Sequence, residues 1–209
     1  MIERIVMPVL GVNCYVLACD KTKKAAIIDP GSGSAMIKDL LRRHNLEVER
    51  IILTHGHYDH IGAAEELRKT LHADVAVHRE DAGMLTDPQK NLSRMFSRDY
   101  VMSPAEILLE DGQEFFIGEV QMKVIHTPGH TPGGICLLTD GVLFSGDTLF
   151  DCSIGRADFP GGDFHKLLSS IHDKLMVLDD QILVYPGHES FTSIGRERVR
   201  NPYISGDLA

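Results

Sequence analysis

The chain has 209 residues with 30 acidic and 21 basic side chains, which gives a formal net charge of −9 with neutral histidines. Hydrophobic residues make up 43% of the sequence, enough to bury a core, so a disordered chain is excluded. The acidic balance, without a run of Lys or Arg, argues against nucleic acid or a membrane surface as a partner. The 11 histidines are an unusually large number for this length and need an explanation.

The N-terminal residues give no sign of export. Glu3 and Arg4 are charged, and no long apolar run of a secretory signal follows them. No apolar stretch approaches the roughly 18 residues of a membrane span. The 4 cysteines form no C-x-x-C pair that would indicate a zinc finger or a redox motif. We therefore expect a cytoplasmic protein with reduced thiols.

The first half of the chain alternates short strands and helices. Three β-branched runs at 2–7, 14–18 and 25–29 are separated by turn residues and predict an antiparallel meander. Apolar residues at helical spacing follow the Gly-Ser-Gly-Ser turn, and similar patterns recur further on. The remaining elements of this half are predicted as helix at 34–45, strand at 50–53, helix at 62–71 and strand at 74–77.

The second half repeats this organisation after a polar segment. Residues 80–105 have no clean period and predict a loop with short helices over one face. Strands are predicted at 106–109, 114–117, 120–126, 134–139, 142–145 and 181–184, and helices at 164–177 and 193–200. Since no linker divides the chain, we expect a single α/β domain over 1–209, with two sheets packed face to face and helices outside.

The sequence Thr-His-Gly-His-Tyr-Asp-His at 54–60 directly follows the predicted strand at 50–53. Residues two apart in extended chain face the same side, so His55 and His57 can point at one metal ion. Asp59 and His60 lie at the turn into the next helix and can point at a neighbouring position. Imidazole and carboxylate ligands suit Zn²⁺, and also iron or manganese.

Three later strands also end in a residue that can bind a metal. His130, Asp147 and His188 each lie next to a glycine, immediately after an apolar run. Loops held by a rigid sheet are common places for binding sites, and glycine lets the backbone approach a ligand closely. Taken singly, each residue is more typical of a core or turn position. Together with the first motif they give five histidines and two aspartates, enough for a two-metal site.

This ordered set of residues resembles the metallo-β-lactamase superfamily, and the resemblance extends from Asn13-Cys14-Tyr15 to Asn201-Pro202. The resemblance implies an αββα four-layer sandwich with a dinuclear metal site at one edge. It further implies three roles: His55, His57 and His130 bind the first metal, Asp59, His60 and His188 bind the second, and Asp147 bridges both.

Within the superfamily, residues 146–163 resemble the glyoxalase II group (hydroxyacylglutathione hydrolases), above all its short bacterial members. This implies hydrolysis of a thioester such as S-lactoylglutathione, with Asp59 and Asp147 in catalytic roles and two divalent ions, zinc before iron or manganese. The longer members carry a C-terminal helical domain that holds glutathione, and we expect this chain to lack it. Arg156 can bind a substrate carboxylate or form an ion pair with Asp158 or Asp163.

Other chemistries of the superfamily give the alternatives. Its antibiotic-hydrolysing members have Cys or His where this chain has Asp147, and they are exported, which argues against that activity. Its persulfide dioxygenases resemble this chain closely and use a single iron held by the equivalents of His55, His130 and Asp147. A lactonase-like metallo-hydrolase is a further alternative. In every case the expected partner is a small molecule.

Overall fold

The computed structural model describes residues 1–8 and 10–205, and most of its strands belong to two six-stranded sheets. The first sheet follows chain order: β1 (Ile2–Val6), β2 (Asn13–Ala18), β3 (Lys24–Ile28), β4 (Glu47–Ile52), β5 (Asp74–His78) and β6 (Ile107–Leu109). The later strands are β7 (Glu114–Ile117), β8 (Val120–His126), β9 (Ile135–Thr139), β10 (Val142–Gly146), β11 (Leu149–Phe150), β12 (Ser153–Ile154), β13 (Leu183–Pro186) and β14 (Thr192–Ser193). Of these, β11 and β12 pair as a separate hairpin, and the second sheet has the order β14-β13-β10-β9-β8-β7.

Strand direction explains where the helices lie. The first three strands form the predicted antiparallel meander, whereas β3 to β6 run parallel. Parallel neighbours need a crossover connection. Helix α1 (Ser34–His44) connects β3 to β4, and the short α2 (Tyr58–Ile61) with α3 (Ala64–Leu71) connects β4 to β5. In the second sheet β13 runs parallel to β10, and the helix between them is α4 (Phe164–Ser170), extended by a π-helical turn over Ile171–Leu175.

The chain ends in two short helices, α5 (Ile194–Arg200) and α6 (Pro202–Ser205). Within the segment 80–105 the regular structure consists of two 3₁₀ turns, at Ala82–Met84 and Ser93–Phe96, as the lack of a period predicts. Across residues 1–8 and 10–205, no helix combines the length and hydropathy needed to span a bilayer.

Alternating side chains divide the core into three hydrophobic clusters, one between the two sheets and one on the outer face of each sheet. In β3, Ala25 and Ile27 pack toward α1 and α3, whereas Ala26 and Ile28 face the second sheet. In β10, Leu143 packs toward α4 and α5 on the other outer face. This period of two buries both faces of each sheet. The layers are therefore helix, sheet, sheet and helix, and the expected αββα sandwich is confirmed.

The predicted boundaries differ from the structure mainly at the helix expected over 62–71. The helix is divided because the backbone N–H of Ala63 donates to the carbonyl of Pro30, at 2.8 Å, instead of continuing the ladder from α2. A Cβ on Gly62 would lie 2.4 Å from the carbonyl oxygen of Gly31, so glycine permits this close approach. The strand predicted at 50–53 begins earlier, at Glu47, and the two-residue strands β11, β12 and β14 were too short to show a period.

Candidate metal centre

Four loops meet at one end of the sandwich, and each leaves the C-terminal end of a strand. The loop after β4 carries the first motif, and the loops after β8, β10 and β13 carry the three later residues. The structure brings all seven predicted side chains together: His55, His57, Asp59, His60, His130, Asp147 and His188. Their ligand atoms form overlapping groups of three within 4.8 Å, as metal binding requires.

The first group contains His55, His57 and His130, all buried. Nδ1 of His57 lies 3.0 Å from Nε2 of His130. The ring centroid of His55 lies 4.8 Å from the centroids of both other rings. Three imidazoles thus face one point, as the i, i+2 spacing of the first motif predicts for His55 and His57.

The second group contains Asp59, His60 and His188. The Nε2 atoms of the two histidines lie 3.3 Å apart, and Oδ2 of Asp59 lies 3.4 Å from His188 Nε2. Asp147 lies between the two groups, since its carboxylate is 3.4 Å from His60, 3.6 Å from His130 and 3.6 Å from His188. The Asp147 carboxylate therefore lies close to ligands of both groups.

Two observations test whether these residues fit metal ions. Nε2 of His55, Nε2 of His57 and Oδ1 of Asp147 are buried without a hydrogen-bond partner, which is costly for a polar atom that has no other ligand. Gly187 lies beside Asp147 and His60, where a larger residue would collide with them. A Cβ on Gly187 would lie 2.4 Å from Oδ1 of Asp147 and 2.7 Å from Cε1 of His60. Buried lone pairs of imidazole and carboxylate around an open position suit divalent ions. The residues therefore fit the metals that the sequence implies.

A buried aspartate that sequence reasoning missed, Asp29, orients two of the histidines. His60 donates from Nδ1 to Oδ2 of Asp29 at 3.0 Å, and Thr54 donates to Asp29 from both its backbone nitrogen, at 2.7 Å, and its hydroxyl, at 2.6 Å. That hydroxyl in turn accepts from Nδ1 of His55 at 3.2 Å. Fixing Nδ1–H in this way leaves Nε2 of each ring available as a ligand.

A second missed carboxylate, Asp81, joins two of the ligand loops. It accepts hydrogen bonds from the backbone of Gly56 at 3.0 Å, the hydroxyl of Thr131 at 2.7 Å and the backbone of Gly133 at 2.6 Å. Burial raises its pKa, and these three donors oppose that effect. Because Gly56 and Thr131 each adjoin a predicted ligand, Asp81 fixes the loop after β4 against the loop after β8.

Backbone carbonyl groups hold His130 and the turn that carries His188. Nδ1 of His130 donates to the carbonyl of Arg156 at 2.6 Å. Asn13 donates from its side chain to the carbonyls of Pro186 and Glu189, and Tyr15 donates to Pro186 at 2.7 Å, which secures the turn that carries His188. Asn13 and Tyr15 carried part of the resemblance in the sequence but had no assigned role.

The Arg156 side chain is bound to an acidic neighbour and to a ring. Its guanidinium binds the carboxylate of Asp158 through two hydrogen bonds, at 2.8 and 2.7 Å, and lies 4.0 Å above the ring of Phe159. Asp163, the other acidic neighbour considered from the sequence, instead accepts from the backbone of Lys166 and begins α4. Substrate binding by Arg156 stays a prediction.

In the protein without metal, the pKa values of the ligand side chains differ between the two groups. Burial and then the neighbouring rings lower the pKa of His55 well below its usual value, and burial and His130 lower that of His57 to about 3. Burial also opposes a charge on His60, but Asp147, Asp59 and Asp29 outweigh it and raise the pKa to about 10. Burial would raise the pKa of Asp59, yet His60 and His188 hold it well below its usual range. His55 and His57 of the first group therefore present neutral imidazoles, and the second group carries paired charges.

A cavity of about 550 Å³ opens onto the cluster. Five of the seven predicted ligands contribute to its walls: His57, Asp59, His130, Asp147 and His188. Its outer part is lined by apolar side chains from the segment 80–105, from β11 and from the loop before α4. A small molecule entering here meets the ligand side chains at the bottom, as expected for an active-site cleft.

Comparison with known proteins agrees with this geometry. A family model described as the metallo-beta-lactamase superfamily matches residues 7–188. The chain is 34% identical to the hydroxyacylglutathione hydrolase GloC of Haemophilus influenzae over 98% of each chain. It is also similar to a solved structure described as BLEG-1 B3 metallo-beta-lactamase, at 40% identity and a TM-score of 0.94, over 99% of this chain and 100% of that one. A further similar structure is TTHA1623 in a di-iron-bound form, at 30% identity and a TM-score of 0.85, over 96% and 99% of the two chains.

Proposed function

The chain belongs to the metallo-beta-lactamase superfamily, and from this premise we propose that it hydrolyses acyl thioesters of glutathione, such as S-lactoylglutathione, at a dinuclear metal site. That it is a hydrolase dependent on divalent metal ions follows from the family, from the relatives and from the clustered ligands. Similarity to the hydrolase GloC over nearly the whole of both chains supports the thioester as the bond that is cleaved.

One observation carries the dinuclear part of the proposal: Asp147 lies within 3.6 Å of ligands from both groups. We assign His55, His57 and His130 to one metal, Asp59, His60 and His188 to the other, and Asp147 to both. Zinc is the metal we propose, because imidazole and carboxylate ligands suit it, and the similar di-iron structure makes iron the alternative.

When bound, two divalent ions polarise a carbonyl oxygen and lower the pKa of water so that hydroxide forms near neutral pH. The chain's own residues supply orientation. The low pKa of Asp59 keeps its carboxylate ionised and able to accept a hydrogen bond from the attacking water. Among the described residues that line the cavity there is no serine or cysteine that could act as a nucleophile. The reaction therefore proceeds by direct attack of water, without an acyl-enzyme.

The test is a turnover panel on protein of known metal content. We expect hydrolysis of S-lactoylglutathione that is lost with a chelator and restored by zinc or iron. His188→Ala removes a ligand of the second metal and is expected to lower kcat/KM by about a hundredfold or more. Full activity in His188→Ala, or an absence of turnover on every thioester, would contradict the proposal.

Oxygen consumption distinguishes the dioxygenase alternative. A single iron held by His55, His130 and Asp147 does not need His188. Uptake of oxygen with glutathione persulfide that survives in His188→Ala, together with no thioester turnover, would favour that alternative.

A second candidate activity is hydrolysis of a β-lactam amide. The observation that favours it is the similarity to BLEG-1, at 40% identity over the whole of both chains. Asp147 argues against it, because the antibiotic-hydrolysing members are expected to have Cys or His there. A chromogenic cephalosporin assayed beside the thioesters decides between them: a kcat/KM for the cephalosporin above that for S-lactoylglutathione would replace the thioester proposal.

A further inference from the structure

The outer part of the active-site cavity is apolar, and two of its side chains are exposed although Leu92 and Phe150 are buried. Leu92, Met95 and Phe96 from the segment 80–105 line it together with Phe150 and Phe159. Met95 is 65% exposed and Phe96 43% exposed, whereas most large apolar side chains of the fold are buried. Exposed apolar groups at the mouth of a ligand-lined cavity gain free energy when a bound molecule covers them. We call Leu92, Met95 and Phe96 the outer wall.

The outer wall is fixed to the helix that carries two of the predicted ligands. The backbone of Tyr58, the first residue of α2, donates to the carbonyl of Asn91 at 2.8 Å. The Asn91 side chain accepts from the backbone of Ser93 at 2.9 Å and donates to the carbonyl of Tyr100 at 2.9 Å. The rings of Tyr58 and Phe96 lie 6.1 Å apart. The wall therefore has a set position relative to Asp59 and His60, as a preformed subsite requires.

The cavity offers the thiol carrier little ion pairing outside the metal ligands. Of the acidic residues in its described lining, Asp59 and Asp147 are assigned to metal, and Glu189 is the remaining carboxylate. Within the described part of its lining the one Lys or Arg is Arg156, whose guanidinium Asp158 already binds through two hydrogen bonds. Glutathione carries two carboxylates, so its charged arms find no available cation in this lining. The acyl group is the part of an acyl-glutathione that an apolar wall can bury.

From these observations we propose that the outer wall is a subsite for the acyl chain, so that this enzyme selects thioesters by an apolar acyl group and not by the thiol that carries it. The inference rests on the proposed thioesterase activity and names the substrate class more narrowly. Burial of one methylene against the wall corresponds to about a threefold to fourfold gain in kcat/KM.

The experiment measures kcat/KM on the metal-loaded enzyme for acetyl-, propanoyl-, butanoyl- and hexanoylglutathione, and for a matched 2-hydroxyacyl series that begins with S-lactoylglutathione. We expect kcat/KM to rise about threefold per methylene in both series. Phe96→Ala and Met95→Ala are expected to flatten this dependence, with the largest loss of kcat/KM for the longest acyl chain. Phe116→Ala removes another exposed ring, on β7 and outside the cavity lining, and should leave the dependence unchanged.

The same acyl chains on N-acetylcysteamine, a neutral thiol, test the second half of the inference. We expect kcat/KM within about fivefold of the glutathione thioester of equal chain length. A flat or falling chain-length dependence in the wild type, an unchanged dependence in both wall variants, or a loss of more than a hundredfold on the neutral thiol would overturn the inference, even though thioesters are hydrolysed.

Binding measurements keep the inference testable if no thioester is hydrolysed, the result that would refute the proposed function. S-methylglutathione and S-hexylglutathione are thioethers that cannot be cleaved, and calorimetry gives their dissociation constants. Binding of the hexyl compound that is at least tenfold tighter, and weaker in Phe96→Ala but not in Phe116→Ala, supports the subsite. Equal binding of the two thioethers would overturn it.

Discussion

The inner and the outer halves of the cavity are built by different physical means. In the inner half, Asp29, Asp81 and the carbonyl of Arg156 accept buried hydrogen bonds that fix the predicted ligands and their loops. Polar atoms of the ligands remain there without a hydrogen-bond partner. In the outer half, exposed apolar side chains lie on a segment attached through Asn91. The difference indicates that the inner half is built to bind metal ions. The outer half is free to determine which substrate is accepted.

The largest effect is expected where a methyl group enters the inner half. In Gly187→Ala the new carbon would lie 2.4 Å from Oδ1 of Asp147 and must displace it. We expect a loss of at least about a hundredfold in both metal affinity and kcat/KM. Metal titration and turnover check this. Gly83→Ala is the control, since the atom nearest to its added Cβ would be Nζ of Lys90, at 4.0 Å. Normal metal content in Gly187→Ala would show that this space is not used.

Asp29→Asn tests the hydrogen bonds beneath the ligands. The amide keeps the shape but cannot accept from both Thr54 and His60 as the carboxylate does. We expect metal affinity to fall by about 10–100-fold with a smaller loss of stability. Competition with a chromophoric chelator measures this affinity, and Asp39→Asn on the exposed face of α1 is the matched control. An unchanged metal affinity would show that Asp29 does not help to hold the ligands in position.

A histidine pair outside the ligand set predicts a pH effect on folding. His78 stacks on His126 with centroids 3.9 Å apart, and burial and then His126 lower the pKa of His78 to about 4. Between pH 6.5 and 4 the unfolded chain therefore binds more protons at this residue, and the free energy of unfolding falls as the pH falls. Relative to His78→Gln, the wild type should lose about 2 kcal/mol over this range in urea titrations. Parallel profiles for the two proteins would contradict this, and the exposed His165→Gln serves as control.

Arg156→Ala is expected to have the smallest effect. Its guanidinium is bound by Asp158, and its backbone carbonyl, which orients His130, is kept in the variant. We expect less than about a threefold change in kcat/KM for S-lactoylglutathione. A tenfold increase in KM, with unchanged thermal stability, would instead assign Arg156 to the binding of a substrate carboxylate.

The two halves of the cavity also differ in how well the sequence predicts them. Each of the seven candidate ligands follows a strand, and strand ends that meet at one edge bring them together, so their convergence was predictable. Asp29 gives a similar signal, because it directly follows β3 and precedes Pro30 and Gly31. Asp81 gives none, since it meets Gly56 and Thr131, 25 and 50 residues away, after folding.

The outer wall was not predictable beyond its location in the segment 80–105. Leu92, Met95 and Phe96 have the i, i+3, i+4 spacing of a helix, but the pattern does not continue on either side. The segment instead turns through left-handed backbone at Leu92 and Ser97, with φ of 64° and 57°. Side-chain hydroxyl and amide groups of Ser93 and Asn91 define these turns. Such local contacts have no periodic signature in a sequence.

We propose that the two ligand groups share Asp147 and hold two metal ions. Elemental analysis of the purified protein, with His188→Ala and Asp147→Ala beside it, tests this most directly. We expect two divalent ions per chain in the wild type, one in His188→Ala and no more than one in Asp147→Ala. One ion per chain in the wild type, retained in His188→Ala, would contradict it.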